Sequence, residues 1–261
     1  MPIVSTFCKK GGVGKTTFLG YLAHFYANQG KTVLIISADD QNSIFKIFGC
    51  ENFVTDNDDD FFENLLVGEK KPEEVVFEAR PGMYLMKTLN TDRLSFTLTV
   101  KRSEERKIID IIKDFTNFFD YIFIDFPPSS SRLTEILLDI SEKILLVVGL
   151  DPLGIDGYKN TIQYFVDCDI EISKISHIIP IGYHPIKITP NKSLKELKNL
   201  AQNYSPDAII ATPIKDKAVI QNLQSEGISV FDNHMMKDKF HQKNLNEIAK
   251  DLTEVYNSIV L

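Results

Sequence analysis

Cysteine is scarce in this sequence, and the few cysteines are not spaced for cross-linking or metal binding. Of 261 residues only Cys8, Cys50 and Cys168 are cysteines, and no two of them form a CxxC pair. An odd number of widely separated cysteines argues against a disulfide framework and against a zinc site. This usage is typical of the reducing cytosol, so we expect a cytoplasmic protein.

Long apolar runs are missing as well. Each hydrophobic stretch is interrupted within about 4–8 residues, whereas a membrane-spanning helix needs about 20. The N-terminus carries no basic stretch followed by an apolar one, so the sequence predicts no secretion signal. Neither a transmembrane segment nor export is therefore expected.

The sequence has no excess of positive charge. It contains 29 Lys and Arg against 36 Asp and Glu, which gives a net charge of −7. A protein that coats nucleic acid with its whole surface is strongly basic, so this balance excludes that class. A local basic patch remains compatible with it.

What the sequence does contain is a regular alternation of strands and helices. The strand candidates are mostly apolar without alternation, as in strands buried on both faces, and the helix candidates carry apolar residues at helical spacing. The predicted strands are Ile3–Phe7, Thr32–Ser37, Met83–Lys87, Tyr121–Asp125, Ile144–Gly149, Ile175–Ile181 and Ala208–Thr212. The predicted helices are Thr16–Gln29, Ser103–Asn117, Ser131–Ile140, Gly157–Asp167, Lys192–Asn203, Lys217–Ser225 and Phe240–Ser258.

This order of elements predicts an α/β fold, with a mostly parallel twisted sheet and helices on both faces. No internal repeat and no Pro/Gly/Ser-rich linker interrupts the chain, so residues 1–261 are expected to form a single domain. The acidic, turn-rich segment Glu51–Asp60 predicts a solvated loop.

A phosphate-binding loop follows the first predicted strand. The segment Lys9–Thr17 reads KKGGVGKTT, and a helix opens directly after its glycines. Glycines let the backbone turn tightly and point N–H groups at an anion, to which the helix N-terminus adds partial positive charge. In such a loop Lys15 reaches the β- and γ-phosphates, and the Thr16 hydroxyl ligates Mg²⁺. The predicted nucleotide-binding residues of the loop are Gly11, Gly12, Val13, Gly14, Lys15, Thr16 and Thr17.

Carboxylates follow two other predicted strands. Asp39 and Asp40 come directly after Thr32–Ser37, and Asp125 ends the apolar strand Tyr121–Asp125 in the Walker B pattern. The carboxyl ends of parallel strands form the edge at which ligands bind in open α/β sheets. Asp125 is therefore the predicted carboxylate for Mg²⁺, either directly or through its water shell.

The loop resembles the deviant Walker A motif of the ParA/MinD family of P-loop ATPases, because Lys10 precedes the paired glycines in KGGVGKTT. Phe126-Pro127-Pro128 after Asp125 is similar to the family's DxPP motif. The resemblance implies the P-loop NTPase fold, hydrolysis of ATP with Mg²⁺, and a homodimer that forms around bound ATP. In that dimer Lys10 reaches the phosphates of the partner's nucleotide, where a cation stabilises the transferring phosphoryl group. Lys9, one residue further out, competes for this role.

Two further segments are similar to family motifs, with departures. Ser37-Ala38-Asp39-Asp40-Gln41 resembles DxDPQ, in which the second aspartate helps to position the attacking water. The resemblance favours Asp39 for that role and leaves Asp40 as a competitor. Ser37 replaces the first aspartate and Asp40 the proline, which leaves open whether hydrolysis is slowed. The segment beginning at Thr212 is similar to the one that lies beside adenine, and implies base contacts from Pro213 and Ile214.

The family divides by what the dimer binds. ParA-like members bind DNA nonspecifically when ATP-bound and partition plasmids, chromosomes or other cargo with a stimulating ParB-like or adaptor protein. MinD-like members bind membrane through a basic amphipathic C-terminal helix. Two lysine groups favour DNA phosphates as the target: Lys192, Lys195 and Lys198, and then Lys237, Lys239 and Lys243.

The predicted C-terminal helix has an apolar stripe and a polar face of mixed charge. An anionic bilayer favours a basic face, so this helix is expected to pack on its own sheet, and membrane binding is not expected. The resemblance therefore implies a partition ATPase with weak, partner-stimulated hydrolysis that associates with the nucleoid. The alternative is a MinD-like positioning ATPase that acts on membrane or on a protein complex.

Overall fold

A computed structural model describes residues 2–56, 62–88, 90–215, 218–232, 239–259 and 261. The strands are β1 (Ile3–Phe7), β2 (Val33–Ser37), β3 (Val76–Arg80), β4 (Met83–Met86), β5 (Tyr121–Asp125), β6 (Lys143–Gly149), β7 (Ile175–Tyr183), β8 (Ile209–Ile210) and β9 (Ile214–Lys215). The helices are α1 (Lys15–Ala27), α2 (Ser43–Ile47), α3 (Glu51–Asp56), α4 (Phe62–Val67), α5 (Pro72–Val75), α6 (Thr91–Val100), α7 (Arg102–Phe115), α8 (Arg132–Ile140), α9 (Pro152–Asp167), α10 (Ile188–Tyr204), α11 (Ala218–Ser225) and α12 (Lys239–Ser258). No helix within these ranges is both long and apolar enough to cross a bilayer.

The strands of the described residues form one sheet in the order β3-β4-β2-β5-β1-β6-β7-β8, with β9 beside the far end of β7. The edge pair β3–β4 is antiparallel, and the pairs from β4 to β9 are parallel. In the register, Asp125 of β5 lies between Ser37 of β2 and Thr6 of β1. The carboxyl ends of three central strands therefore meet at one edge, as the sequence predicts.

Helices cover both faces of the sheet. Successive residues of β2 alternate between two apolar clusters: Leu34 and Ile36 join one, and Val33 and Ile35 join the other. The first cluster receives side chains from α4–α10, and the second from α1, α2, α11 and α12. Burial on both faces explains why the strands are apolar without alternation, and the predicted fold class is confirmed.

The C-terminal helix packs on the second face of the sheet. Ile248, Leu252, Val255 and Tyr256 are all less than 5% exposed, and they belong to the same apolar cluster as α1. The Tyr256 hydroxyl donates to the Phe18 carbonyl of α1 at 3.2 Å. The prediction that this apolar stripe docks on its own domain is confirmed.

Several short elements differ from the prediction. The segment 51–56 is helix α3 rather than a solvated loop, and residues 57–60 lie outside the described residues. The Phe53 ring of α3 packs on Phe45 and Phe77, with ring centroids 5.7 and 4.4 Å apart. These partners come from α2 and β3, so tertiary packing gives this acidic segment its helical form.

Two helices, α9 and α10, begin four or more residues earlier than predicted. Helix α9 starts at Pro152 because the Asp151 carboxylate caps it, accepting from the Gly154 N–H at 3.0 Å, and proline suits the first helical position. Helix α10 starts at Ile188 rather than Lys192. In both helices, the residues between the observed and the predicted start lie outside the apolar periodicity on which the prediction rests.

A buried polar cluster joins α1 to the segment after α11. Arg80 of β3 donates to both Asp232 carboxylate oxygens at 2.8 and 2.9 Å, and to the Gly227 carbonyl at 3.1 Å. His24 of α1 contacts the Ser229 hydroxyl through Nδ1 at 2.8 Å. Burial lowers the pKa of His24 to about 4, although the nearby Asp232 charge acts in the opposite direction. The imidazole is therefore neutral at physiological pH.

Candidate active site

A cavity of about 680 Å³ opens at the edge where β1, β2 and β5 end. Residues 11–17, Asp39 and Pro128 line it on the side of the glycine loop, and side chains of α2, β9, α11 and α12 line the opposite side. This volume lies within the range of about 300–1,000 Å³ that is usual for small-molecule sites. The cavity thus joins the sequence motifs to residues far from them in the chain.

The glycine loop presents an anion-binding helix end to this cavity. Gly12 and Gly14 have φ values of +73° and +90°, a region that side chains disfavour, and Gly14 directly precedes α1. The helix therefore begins without a side-chain cap, which leaves its first N–H groups available to an anion. Lys15 is buried, and its ammonium donates to the Lys10 carbonyl at 3.2 Å. Burial lowers the pKa of Lys15, so the site favours a negative ligand beside it.

Asp125 and Thr16 meet at the base of the cavity. The Thr16 hydroxyl donates to Asp125 Oδ1 at 3.1 Å, and Asp125 is 1% exposed. Burial raises the pKa of Asp125 to about 7, even though Thr16 and the Lys15 charge oppose that rise. The buried Thr6 hydroxyl, opposite Asp125 in the register, has no hydrogen-bond partner among the described residues.

These oxygen donors fit a hard divalent cation. A carboxylate and a hydroxyl are ligands that Mg²⁺ accepts, and it keeps several waters in sites of this kind. A cation would compensate the buried Asp125 charge, and one of its waters could satisfy the unpartnered Thr6 hydroxyl. Thr16 and Asp125 are thus the residues able to hold Mg²⁺ here.

The two candidate aspartates after β2 differ in position. Asp39 is half-buried and lines the cavity, and its Oδ1 accepts from the Gln41 N–H at 3.0 Å. Asp40 is exposed, and its carboxylate accepts from the Gln41 side chain at 3.1 Å instead. Ser37, at the position of the missing aspartate, donates its hydroxyl to the Asp39 carbonyl at 2.9 Å. Of the two aspartates, Asp39 is therefore the one that lines the cavity.

Lys9 and Lys10 also occupy different environments. The Lys9 N–H donates to the Thr161 hydroxyl at 3.0 Å, and its ammonium donates to the Ser130 hydroxyl and lies 4.6 Å from the centre of the Tyr164 ring. The Lys10 ammonium, in contrast, has no hydrogen bond or ion pair with any described residue. Lys9 is thus held within its own chain, whereas the Lys10 ammonium has no such contact in the described part of the chain.

On the far side of the cavity, Ile214 of β9 is part of the lining. Pro213 lines an adjoining smaller cavity of about 150 Å³, which shares Ile214 with the main one. The structure thus brings one predicted base-contact residue into the main cavity and places the other beside it.

Several residues of the lining have no counterpart in the sequence motifs. Lys46 of α2, Gln224 of α11 and Tyr256 of α12 all line the main cavity. Gln224 Nε2 lies 2.5 Å from the Thr17 hydroxyl oxygen. No local pattern marks these residues, because each reaches the site only through the packing of its helix.

One of the two predicted lysine groups lies on the exposed surface of α10. Lys192, Lys195 and Lys198 are exposed, and none of them forms an ion pair with a described carboxylate. The one acidic residue among them, Glu196, pairs instead with Lys159 of α9 at 3.0 Å. The group therefore keeps its full positive charge for a partner. Lys239 and Lys243 lie in α12, but their side chains are outside the described part, as is residue Lys237 altogether.

The pKa shifts of Asp125 and His24 predict opposite effects of pH on stability in the absence of ligand. His24 binds a proton more readily in the unfolded chain between about pH 4 and 6.5, so its contribution to stability falls on acidification. Asp125 binds a proton more readily in the folded protein between about pH 3.8 and 7, so its contribution rises on acidification. As the pH falls from 7 to 4.5, the unfolding free energy of Asp125→Asn should fall by about 3 kcal/mol relative to that of wild type. The unfolding free energy of His24→Gln should rise by about as much relative to that of wild type. Urea unfolding across this range measures both, and parallel curves for the three proteins would contradict the prediction.

The sequence was compared with family models and with the sequences of known proteins. The family model described as an AAA domain matches residues 1–177. The chain is 30% identical over 147 residues to the ATP-binding protein MJ0169 of Methanocaldococcus jannaschii, and spans about half of that protein's length (52%) and 56% of its own. It is 25% identical to the cell division protein PomZ of Myxococcus xanthus, over 85% of this chain and 69% of PomZ. It is 23% identical to the chromosome-partitioning ATPase Soj of Treponema pallidum, over 92% and 94% of the two chains.

Solved structures share the fold over nearly the whole chain. An Asp-to-Ala variant of McdA from Cyanothece, in complex with ATP, superposes with a TM-score of 0.78 at 17% identity, over 100% of this chain and 98% of that one. The MinD cell division protein of Aquifex aeolicus superposes with a TM-score of 0.66 at 18% identity, over 100% and 99%. At these identities the likeness concerns the fold.

Proposed function

The chain belongs to the ParA/MinD family of P-loop ATPases, and from this premise we propose that it is a ParA-type switch that dimerises around Mg-ATP. The observation that carries the proposal is the contrast between two adjacent lysines. Lys9 is engaged within its own subunit, whereas the Lys10 ammonium, beside the proposed phosphate site, is unpaired among the described residues. A free cation in this position suits the nucleotide of a second subunit.

Each residue of the site then has a chemical role. The first N–H groups of α1 and the Lys15 ammonium hold the phosphates, and Thr16 and Asp125 hold Mg²⁺. Bound Mg²⁺ supplies charge neutralisation at the phosphate oxygens. Asp39 orients the attacking water, and Lys10 of the partner subunit stabilises charge on the transferred phosphoryl group.

Slow hydrolysis is part of this proposal. Ser37 replaces a carboxylate of the family motif, and Asp39 hydrogen-bonds to its own loop through Gln41. We therefore propose weak intrinsic turnover, raised by a ParB-like or adaptor protein. Such turnover makes ATP a timed switch between dimer and monomer. Residues 1–261 act here as one ATPase domain.

The proposed target of the dimer is DNA, bound without regard to sequence. The exposed lysines of α10 carry uncompensated charge, and α10 packs on α9, whose Gly157 lies against Lys10. Dimer formation would double this set of phosphate contacts, so retention on DNA would require ATP. The name of the chromosome-partitioning ATPase Soj agrees with a role in partitioning, and nucleoid association is part of the proposal.

The experiment that tests this function is a gel shift with nonspecific duplex DNA. We expect retention with ATP and Mg²⁺, none with ADP or without nucleotide, and weakening as salt increases. Retention that does not depend on the nucleotide would contradict the proposed ATP-dependent switch. No retention in any state would contradict DNA as the target.

The lysines of α10 have their own predicted effect. The triple variant Lys192→Ala, Lys195→Ala, Lys198→Ala is expected to bind DNA about 10- to 100-fold more weakly, with a salt-dependence slope smaller by up to about 3. The matched control replaces Lys101, Lys107 and Lys113, three exposed lysines in and next to α7, and should bind as wild type does. Equal losses in the two variants would show that net charge, rather than α10, determines binding.

A MinD-like role is the second candidate, and one observation favours it. Ile186 and Ile188, which flank Lys187 before and at the start of α10, are 86% and 84% exposed. Exposed apolar side chains of this kind suit a protein complex or a membrane surface better than DNA phosphates. ATP-dependent sedimentation with anionic liposomes, without DNA retention, would favour this candidate over partitioning.

A further inference from the structure

Gln224 is a polar residue of the cavity that belongs to no phosphate-site motif. Its Nε2 lies 2.5 Å from Thr17 Oγ1, and both side chains line the main cavity. Ile220 and Ser225, on the same helix α11, line this cavity too. Gln224 therefore connects the wall formed by α11 with the first turn of α1.

The chemistry of this contact fixes the direction of the Thr17 hydroxyl. An amide nitrogen can only donate, so Thr17 Oγ1 accepts and keeps its own proton for another acceptor. No described residue accepts that proton. The neighbouring Thr16 hydroxyl, in contrast, already donates to Asp125. Thr17 thus holds a free hydroxyl proton in the turn of α1 that faces the cavity.

The end of α11 is fixed, so Gln224 is held in place before a ligand binds. The Gly227 carbonyl, two residues after α11, accepts from Arg80 Nη2 at 3.1 Å. Gly227 also packs so closely on Gly49 that a Cβ built on it would lie 2.4 Å from the Gly49 Cα. A donor fixed in this way loses little freedom when the ligand arrives.

We propose that Gln224 is a positioning residue, which holds the Thr17 hydroxyl as a donor to a phosphate oxygen of the bound nucleotide. The inference rests on the proposed nucleotide site and deepens it. Gln224 acts through Thr17 and not through the base. Its effect on affinity is therefore the same for adenine and guanine nucleotides.

A double-mutant cycle tests this coupling, with competition against a fluorescent nucleotide as the readout. We expect Gln224→Leu to weaken ADP and GDP binding by the same factor of about five to ten. Thr17→Val should weaken both at least as much, and Gln224→Leu should add less than twofold in the Thr17→Val background. Thr17→Ser keeps the hydroxyl and should lose less affinity than Thr17→Val. The matched control is Asn222→Leu, which changes an exposed amide of the same helix α11 outside the cavity lining and should bind within about twofold of wild type.

Gln224→Glu provides a nearly isosteric second test. A carboxylate only accepts, so it draws the Thr17 proton away from the cavity, and we expect a larger loss than for leucine. Thermal unfolding within a few degrees of wild type would show that each variant is folded. Additive losses in the cycle, or a change of the ADP-to-GDP ratio beyond about threefold, would overturn the inference while leaving the nucleotide site intact. A wild-type protein that binds neither nucleotide would overturn the proposed function itself, and this inference with it.

Discussion

Replacing Lys10 with alanine is expected to reduce ATP hydrolysis at least about 100-fold while changing ATP affinity by less than about threefold. Its ammonium has no partner among the described residues of its own subunit, so its removal leaves the local phosphate site intact. A trans-acting cation stabilises charge that develops only as the phosphoryl group is transferred, and such residues contribute about 10³–10⁵ in rate in related systems. Phosphate release and equilibrium binding of ATP, measured on the same preparation, separate the two effects.

Lys9→Ala is the matched control for this experiment. The Lys9 ammonium contacts Ser130 and the Tyr164 ring, so its loss should lower stability slightly and leave most of the hydrolysis. The opposite result, in which Lys9→Ala abolishes hydrolysis and Lys10→Ala does not, would exchange the roles of the two lysines.

Mixing two inactive variants shows whether Lys10 acts across the dimer. In a heterodimer of Lys10→Ala and Asp39→Ala subunits, the Lys10→Ala subunit keeps its own Asp39 and receives Lys10 from its partner. The other site lacks both groups. About half of the dimers in an equal mixture are mixed, each with one competent site, so about a quarter of wild-type hydrolysis should return. No recovery in a mixture that does form heterodimers would mean that Lys10 acts within its own subunit.

The second large effect is expected at Gly154, in the first turn of α9. A Cβ at this position would lie 2.1 Å from the Gly149 carbonyl oxygen and 2.7 Å from its carbon, so backbone would have to move. We expect Gly154→Ala to lose about 3 kcal/mol or more of unfolding free energy, which corresponds to about 6–12 °C in Tm. Chemical denaturation and thermal unfolding measure this loss.

Gly20→Ala is a matched control, because its crowding involves side chains and not backbone. A Cβ there would lie 2.7 Å from Ile44 Cδ1, the movable end of an isoleucine in α2, and 3.0 Å from Phe48 Cε2. Alanine also favours the interior of α1 over glycine by about 1 kcal/mol. The net change should therefore stay within about 1 kcal/mol. Equal losses at Gly20 and Gly154 would contradict the distinction between side-chain and backbone contacts.

The sequence predicts the parts of this molecule that local patterns determine. The strands Ile3–Phe7 and Tyr121–Asp125 are found at the predicted bounds, because the first leads directly into the glycine loop and the second is an apolar run that ends at Asp125. The glycine loop and Asp125 are likewise placed together at one sheet edge. Local chemistry and the parallel register are sufficient for these residues.

Other parts depend on contacts that no local pattern carries. Helix α3 forms in an acidic segment because Phe53 packs against β3. The sequence pattern does not predict the antiparallel edge strand β3 either. Gln224 follows Thr17 by 207 positions, and only the docking of α11 brings the two together. The sequence motif favours Lys10 over Lys9 by position, and the contacts of Lys9 with Ser130 and Tyr164, which add a structural reason, are beyond the sequence.

The packing of α12 on α1 has a consequence for biosynthesis. Phe18 and Tyr26 of α1 contact Tyr256 and Ile259, which leave the ribosome more than two hundred residues later. Until then one apolar side of the nascent α1 has nothing to cover it. Strand β1 likewise has no neighbour on either edge until β5 and β6 have been synthesised. We therefore expect the nascent chain to depend on chaperones, and the proposed nucleotide site to form late rather than as the glycine loop emerges.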